Sequence, residues 1–322
     1  MTDDLPFYSH KQCMIDRYGK SLFRVPIDAG LGCPHRGPDG NGGCTFCPGD
    51  GSRARQTTGR LSITDQIDAG VKFARDRYRA EGFMAYVQSF TGTHAPHEEL
   101  ESLYHDILSY FPFDAISIGT RPDCLGDRAM AVLELLGSQL DVWIELGIQT
   151  VHDRTLERIR RGHRWADSLA ALRALHSRGL LVVGHVLLGL PGETTEDFQK
   201  TAQLLSQEHL AAVKIHNLHV IKGTTLAEEF ATHPFPVFDS NDFSCIVTDF
   251  IRRTPAGVAI MRVNTDTPPD RLVAPRWTIS KGSFREQVIA HMRREGFRQG
   301  DLCSSSIIPL DGSSKLGQAS AP

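Results

Sequence analysis

The feature that most constrains this chain is a repeated alternation. Short runs rich in β-branched or apolar residues are each followed by a segment with helical period. The runs are Leu22–Ile27, Phe83–Ser89, Ala115–Gly119, Val142–Ile148, Leu180–Leu188, Val213–Val220 and Val258–Val263. Between them, Ile63, Ile67, Val71, Ala74 and Tyr78 recur at steps of three and four, which places them on one helical face. Leu100, Leu103 and Ile107 repeat the pattern, as do Leu169, Leu172 and Leu175, and Phe243, Val247 and Phe250 mark a helix begun by Asp239 or Ser240. Asp153 and Thr194 stand where N-caps belong, the second with Asp197 in the following turn. Strands alternating with helices imply a mainly parallel sheet with right-handed crossovers. About six such units suit a partial α/β barrel better than a closed eightfold one. An open doubly wound sheet is the alternative. Either way, function should gather at the carboxyl ends of the strands.

Charge and hydropathy exclude several classes. The 322 residues carry 35 Lys and Arg against 38 Asp and Glu, a net charge of −3, so no whole-chain positive field draws in nucleic acid. No apolar run reaches the roughly 18 residues of a membrane helix, so no membrane association is expected. The N-terminal residues lack the basic start and apolar core of a signal peptide, and the expected location is the cytoplasm. The Ser-rich, small-residue stretch over 301–322 reads as a mobile tail.

Seven cysteines, unevenly spaced, do not read as a disulfide framework. Three of them, Cys33, Cys44 and Cys47, fall in a loop rich in Gly and Pro just after the first strand. A C-x2-C pair can aim both thiolates at one centre, and the preceding glycines let the loop fold Cys33 back to join them. Three thiolates leave one position of a tetrahedral centre or a four-iron cluster open, as a catalytic centre requires. Zinc is the competing metal, with His35 as a fourth ligand, although two residues of separation from Cys33 make an awkward bite. Three unligated core cysteines are a poor reading of so glycine-rich a loop.

Cys33-x10-Cys44-x2-Cys47, with Phe46 before the last cysteine, resembles the cluster loop of radical S-adenosylmethionine (SAM) enzymes in a longer-spaced variant. The opening Cys-Pro-His and the close Cys-Thr-Phe-Cys-Pro-Gly are similar to the catalytic subunit of Elongator and its relatives. Val25-Pro-Ile-Asp-Ala-Gly, Gly119-Thr-Arg-Pro-Asp-Cys-Leu, Glu145-Leu-Gly-Ile-Gln, Arg161-Gly-His, Gly189-Leu-Pro-Gly-Glu and Lys214-Ile-His-Asn-Leu-His-Val-Ile-Lys-Gly-Thr resemble the bacterial YhcC/YtqA-like family more narrowly. The resemblance runs from about residue 7 to 298. It implies an α/β fold of class partial (β/α)6-type TIM barrel over 1–235, carrying the N-terminal cluster loop, with a C-terminal α/β extension packed on it over 236–300.

The resemblance also implies cofactors and roles. Cys33, Cys44 and Cys47 would hold a [4Fe–4S] cluster, and SAM would fill its open iron site through amino and carboxylate groups. Reduction would cleave SAM to a 5′-deoxyadenosyl radical, with a flavodoxin or ferredoxin as reductant. Phe46 would lean toward the adenine. Gln88 and Thr91 lie in the segment that helps hold the SAM amino group, where this chain departs from the usual Thr-Asn-Thr-Tyr at Gly92 and His94.

Other positions are read from their chemistry. A carboxylate at Glu145, inside an apolar run, needs a partner. Either SAM, with Gln149 alongside, or a salt bridge to Arg121 would supply one. Arg121 sits at a strand end where a guanidinium can clamp a carboxylate or phosphate. His185 would shape the adenine pocket or sit satisfied in the core. Lys214 and His216 share one face of an unusually polar strand, which makes them the candidate catalytic residues lining a substrate cavity; an edge strand is the alternative. Arg262, Asn264, Asp266, Trp277 and Lys281 receive no role. The run from Arg158 to Arg164 reads as a solvated helix face, with RNA phosphates as the competing partner.

The leading expectation is a radical SAM enzyme altering the C5 side chain of a transfer RNA wobble uridine, an inference by analogy. A partner protein presenting the RNA is an expected companion of so acidic a chain. The alternatives are the same chemistry on a small metabolite or peptide, and a non-catalytic iron–sulfur or zinc sensor.

Overall fold

The computed structural model describes residues 5–37, 42–51 and 62–303. Most of the expected tail, and the middle of the cysteine loop at 38–41, lie outside the described residues. Seven strands form one parallel sheet in the order β1-β2-β3-β4-β5-β6-β8. They are β1 (Leu22–Ile27), β2 (Gly82–Val87), β3 (Ala115–Thr120), β4 (Asp141–Gln149), β5 (Leu181–Leu188), β6 (Ala212–Asn217) and β8 (Ala259–Arg262). Helices α2 (Ile63–Tyr78), α3 (His97–Tyr110), α4 (Asp127–Gln139), α6 (Trp165–Ser177), α7 (Thr195–Leu205) and α9 (Ser240–Arg253) follow the strands in turn. The chain is therefore an α/β partial barrel, as the alternation implies.

The strand sequences are nearly all apolar because the sheet is buried on both sides. One side faces the helices, where Val25, Val87, Ile116, Ile144, Val186 and Ile215 join the main core. The other faces the barrel lumen, whose lower layer is Met84, Ala115, Trp143, Leu181 and Val183. Period two carries each strand from one set to the other. Helix α1 (His10–Tyr18) closes the bottom of the lumen with Cys13 and Met14. Its Arg17 grips Asp141 at the foot of β4, with Nη2 2.8 Å from Oδ1, and Trp143 Nε1 donates to Tyr18 at 2.8 Å. Just before α1, the Ile260 amide of β8 donates to the Tyr8 carbonyl at 2.8 Å. The segment thus staples the edge strands β1 and β8 together at one end of the gap between them.

Local signals explain most helix starts. Thr194 caps α7 in a box with Asp197, and Asp239 caps α9. Asp153 is not a cap: His152 precedes α5 (Asp153–Arg158), and the Asp153 carboxylate accepts the Trp165 amide at 2.7 Å. The expected strand Val213–Val220 ends at Asn217. Asn217 Oδ1 takes the Thr265 amide at 2.7 Å, the chain leaves the sheet, and β7 (Val220–Ile221), followed by α8 (Thr225–Thr232), pairs antiparallel with β9 (Leu272–Ala274). The segment from 236 does more than pack on the barrel, because β8 pairs with β6 inside the sheet. Residues 301–303 are also tied down, through Arg252–Asp301 at 2.8 Å and the Leu302 amide to the Arg252 carbonyl at 2.9 Å. Among the described residues no helix is long and apolar enough to cross a membrane.

Met14 is 1% exposed at the centre of the α1 seal. Met14→Ala is expected to cost about 2–5 kcal/mol through lost burial and the cavity left behind. Urea unfolding would measure it, and a change near zero would show that α1 is not part of the cooperative unit.

Candidate active site

The carboxyl ends of the strands open on one cavity lined by Cys33, Cys44, Phe46, Cys47, Gln88, Thr91, Arg121, Glu145, Gln149 and His185. Ten residues singled out from the sequence thus meet in one place. The cysteine loop reaches it from β1 and is held by the scaffold rather than by itself. The Thr45 amide donates to the Ile159 carbonyl at 3.0 Å, and the Thr45 carbonyl accepts from Leu226 at 2.8 Å. Arg36 Nη2 donates to the carbonyls of Cys47 and Pro48 at 2.8 and 2.9 Å. His35 turns to Asp123 at 2.7 Å and packs where Gly162 leaves room, since a β-carbon at 162 would overlap its ring. Phe46 lines the cavity and also packs on the cluster of Ile159, Leu187, Leu190, Leu218 and Leu226.

Two guanidiniums face Cys44. Arg161 Nη1 lies 3.5 Å and Arg121 Nη1 3.8 Å from its sulfur. Burial works to raise the Cys44 thiol, but these two charges outweigh it and bring the group below its ordinary range, toward thiolate. Cys47 moves the other way because burial dominates there. Arg121 is not the partner of Glu145: it forks onto Asp123 at 3.0 and 3.2 Å and donates to the Arg161 carbonyl. Arg161 donates in turn to the Gly147 carbonyl at 2.6 Å, and a side chain at Gly147 would collide with it. The run from Arg158 to Arg164 is therefore neither a uniform solvated face nor an open phosphate strip. Arg161 and His163 are buried, and Arg158 pairs with Glu229.

Below the cysteines lies a polar layer that the sequence only half disclosed. Glu145 is 2% exposed, and its Oε2 accepts from Lys214 at 2.6 Å and from the Tyr86 hydroxyl at 3.0 Å. His185 Nε2 lies 2.9 Å from the same oxygen, and Arg24 approaches Oε1 at 3.4 Å. Burial alone would raise the Glu145 carboxyl; Lys214, His185 and Arg24 overcome it and hold the group well below the carboxylate range. Burial pushes Lys214 down to about 7, against the pull of Glu145. His216 shares the lumen, with Nδ1 3.0 Å from Thr265 Oγ1 and a buried Nε2 that has no hydrogen-bond partner. Thr91 Oγ1 and Ser117 Oγ are also buried without partners. Lys214 and His216 are inside the barrel, not on an edge strand. Arg24 and Tyr86 were missed; period two on β1 and β2 would have pointed both inward, toward Glu145.

The donor set suits an iron–sulfur centre and its ligand. Three cysteines ring a cavity whose wall carries unpartnered polar atoms and two guanidiniums. Among the described residues no three His, Cys, Asp or Glu side chains converge on a single-ion site.

The model of the Radical SAM superfamily matches residues 30–205, and that of the Radical_SAM C-terminal domain matches 210–294. The chain belongs to the radical SAM superfamily. Within it the chain is YhcC-like. It is 35% identical over 291 residues to protein MJ0486 of Methanocaldococcus jannaschii, covering 88% of each chain. It is 32% identical to protein YhcC of Escherichia coli K12, covering 91% of this chain and 94% of YhcC. A tRNA uridine(34) acetyltransferase of Methanocaldococcus jannaschii is 28% identical over 187 residues, covering 57% of this chain and 34% of that protein. The fold resembles the solved structure of Methanocaldococcus infernus Elp3 lacking residues 1–46, with a TM-score of 0.65 at 21% identity, covering 73% of this chain and 59% of that one. Radical SAM proteins use a [4Fe–4S] cluster and SAM.

Two predictions concern this layer. Lys214→Met leaves a buried carboxylate with weaker partners and should destabilise by about 3 kcal/mol. Pairing it with Glu145→Leu should recover part of the loss, and strict additivity of the two in urea unfolding would refute the coupling. The second concerns pH. Burial lowers His10 to about 3 and His163 and His185 to about 4, so the folded chain keeps them neutral while the unfolded chain binds protons near the ordinary histidine value. Stability should therefore fall as pH drops from about 7 toward about 4. A melting temperature that stays flat across that window would contradict the assignment.

Proposed function

We propose that the chain is a radical SAM enzyme whose Cys33, Cys44 and Cys47 hold the [4Fe–4S] cluster, and that it modifies the C5 side chain of a wobble uridine in transfer RNA. When bound and reduced, the cluster and SAM supply a 5′-deoxyadenosyl radical that abstracts hydrogen. The observation that carries the reading is the stacking of three layers: cysteines at the mouth, the Glu145–Lys214 layer beneath them and the apolar α1 seal at the bottom.

Each layer has a task. Arg121 and Arg161 favour the thiolate at Cys44, the form that ligates metal. Gln88, Thr91, Gln149 and His185 line the space where SAM would lie, and Thr91 Oγ1 is a buried polar atom awaiting a partner. Phe46 offers an aromatic face for the adenine while its other contacts fix the loop. Glu145, held ionised, presents a fixed acceptor to an ammonium or ribose hydroxyl. Lys214 sits where a proton can be held or released near neutral pH. The α1 plug denies bulk water a route from below, which matters where a radical must not be quenched.

The uridine target rests on kinship with proteins named for tRNA uridine(34), one of which the chain matches over 187 residues. An external reductant such as flavodoxin or ferredoxin would deliver the electron, and a partner protein would present the RNA to a chain of net charge −3.

The test is anaerobic reconstitution with iron and sulfide, reduction with SAM, and detection of 5′-deoxyadenosine. Cys44→Ala should lose both iron and cleavage, whereas Cys245→Ala, at an exposed helix position, should keep both. Unchanged iron content in the first variant would sink the ligand assignment. Comparing wobble nucleosides of tRNA from cells with and without the gene tests the substrate; identical profiles would move the target to a small metabolite or peptide.

A further inference from the structure

Asn264, Asp266, Trp277 and Lys281, which take no part in the cysteine site, line a second cavity of about 540 Å³. It shares no lining residue with the cavity of the cysteines. His219 enters it just after β6, Asn264 and Asp266 just after β8, and the first turn of α10 (Lys281–Arg294) closes another side. Thr265 belongs to the same wall, and its Oγ1 lies 3.0 Å from Nδ1 of His216, so one hydrogen-bonded pair links the cavity to the barrel lumen.

The wall is fixed where it is apolar and unsatisfied where it is polar. Trp277 stacks on Phe284 with ring centroids 4.8 Å apart, and its Nε1 donates to the Phe238 carbonyl at 3.0 Å. Asn264 is 3% exposed, yet its side-chain amide has no hydrogen-bond partner among the described residues. An amide kept from water in this way is costly unless a ligand completes it. Ser280 caps α10 by accepting the Ser283 amide at 3.1 Å. The Lys281 and Gly282 amides of that first turn have no partner among the described residues. The exposed Lys281 side chain stands at the same rim, and Asp266 is the one carboxylate of the lining.

We infer that this cavity binds a ribonucleotide, with its phosphate at the first turn of α10 and its base against the Asn264 amide. Free N–H groups at a helix start suit a phosphate, and Lys281 adds charge to them. An amide with donor and acceptor both free matches the edge of a nucleobase, which presents both. Asp266 would repel a bare anion but can accept from a ribose hydroxyl, the group that marks RNA. The inference rests on the RNA reading above: the occupant is a residue flanking the nucleotide that enters the lumen. Its test involves no turnover, so its failure leaves deoxyadenosine formation untouched.

Cluster-loaded, unreduced protein saturated with SAM is titrated calorimetrically with uridine 5′-monophosphate, its 2′-deoxy form, uridine and the trinucleotide UpUpU. Uridine 5′-monophosphate should bind at least about tenfold more tightly than uridine, the usual scale of one charge-assisted contact, and more tightly than the deoxynucleotide. Lys281→Glu, at an exposed position, should weaken the nucleotide by about tenfold and leave uridine unchanged. Asn264→Leu should weaken both; if that buried variant fails to fold, Lys281→Glu decides alone. UpUpU should bind more tightly than the mononucleotide, whereas equal affinity would make the natural occupant a free nucleotide. Equal binding of nucleotide and nucleoside, no preference for ribose, or nucleotide affinity unmoved by Lys281→Glu would overturn the inference.

Discussion

The buried contact between Glu145 and Lys214 is the interaction on which the rest of the site depends. A carboxylate and an ammonium inside a parallel barrel are expensive to desolvate, and attraction alone rarely repays that. The molecule offsets the cost with company: Tyr86 donates to the same oxygen, while Arg24 and His185 stand close on either side. Because these partners come from β1, β2, β5 and β6, the layer can be satisfied only when the strands hold their observed register. A slip of one residue on any of them would turn an inward polar group toward the helices. The polar layer therefore selects one barrel geometry, and the cysteine loop is hung on that geometry.

The site is also a lesson in division of labour along a sheet. The same period-two alternation that sends Ile144 and Ile215 into the helix-facing core sends Glu145 and Lys214 inward. At the foot of the strands the inward positions are apolar and sealed by α1. Midway they are polar and mutually paired. At the mouth they hand over to loops, where side chains can be exchanged without disturbing the sheet.

Much of this was legible in the sequence. The strand runs and helical faces placed the elements, and the C-x2-C loop with its distant cysteine placed the mouth. Lys214 and His216 were identified by polarity on a strand that otherwise had no reason for it. What failed did so for physical reasons. Val213–Val220 looked like one strand because nothing in its composition shows that Asn217 will bind the Thr265 backbone and divert the chain. Arg121 was a plausible partner for Glu145 until the fold placed Asp123 and the Arg161 carbonyl nearer. Arg161 looked like one member of a solvated basic run, and only the tertiary approach of Gly147 and Cys44 explains its burial. Pairings between distant segments are what a linear pattern cannot contain.

The meeting of His35 and Gly162 has a further consequence. The imidazole occupies the volume that a side chain at 162 would fill, while its ring nitrogen is spent on Asp123. Neither position is free to vary alone. A larger residue at 162, already strained by a backbone φ of +81°, would also have to arrive with a smaller one at 35, and a smaller residue at 35 would cut the loop's tie to Asp123. The cysteine loop and the β4–α6 connection thus form an interlocked pair: a lineage that altered one would be driven to rebuild the other, and loops of different length could be grafted onto this barrel only together with their matching turn.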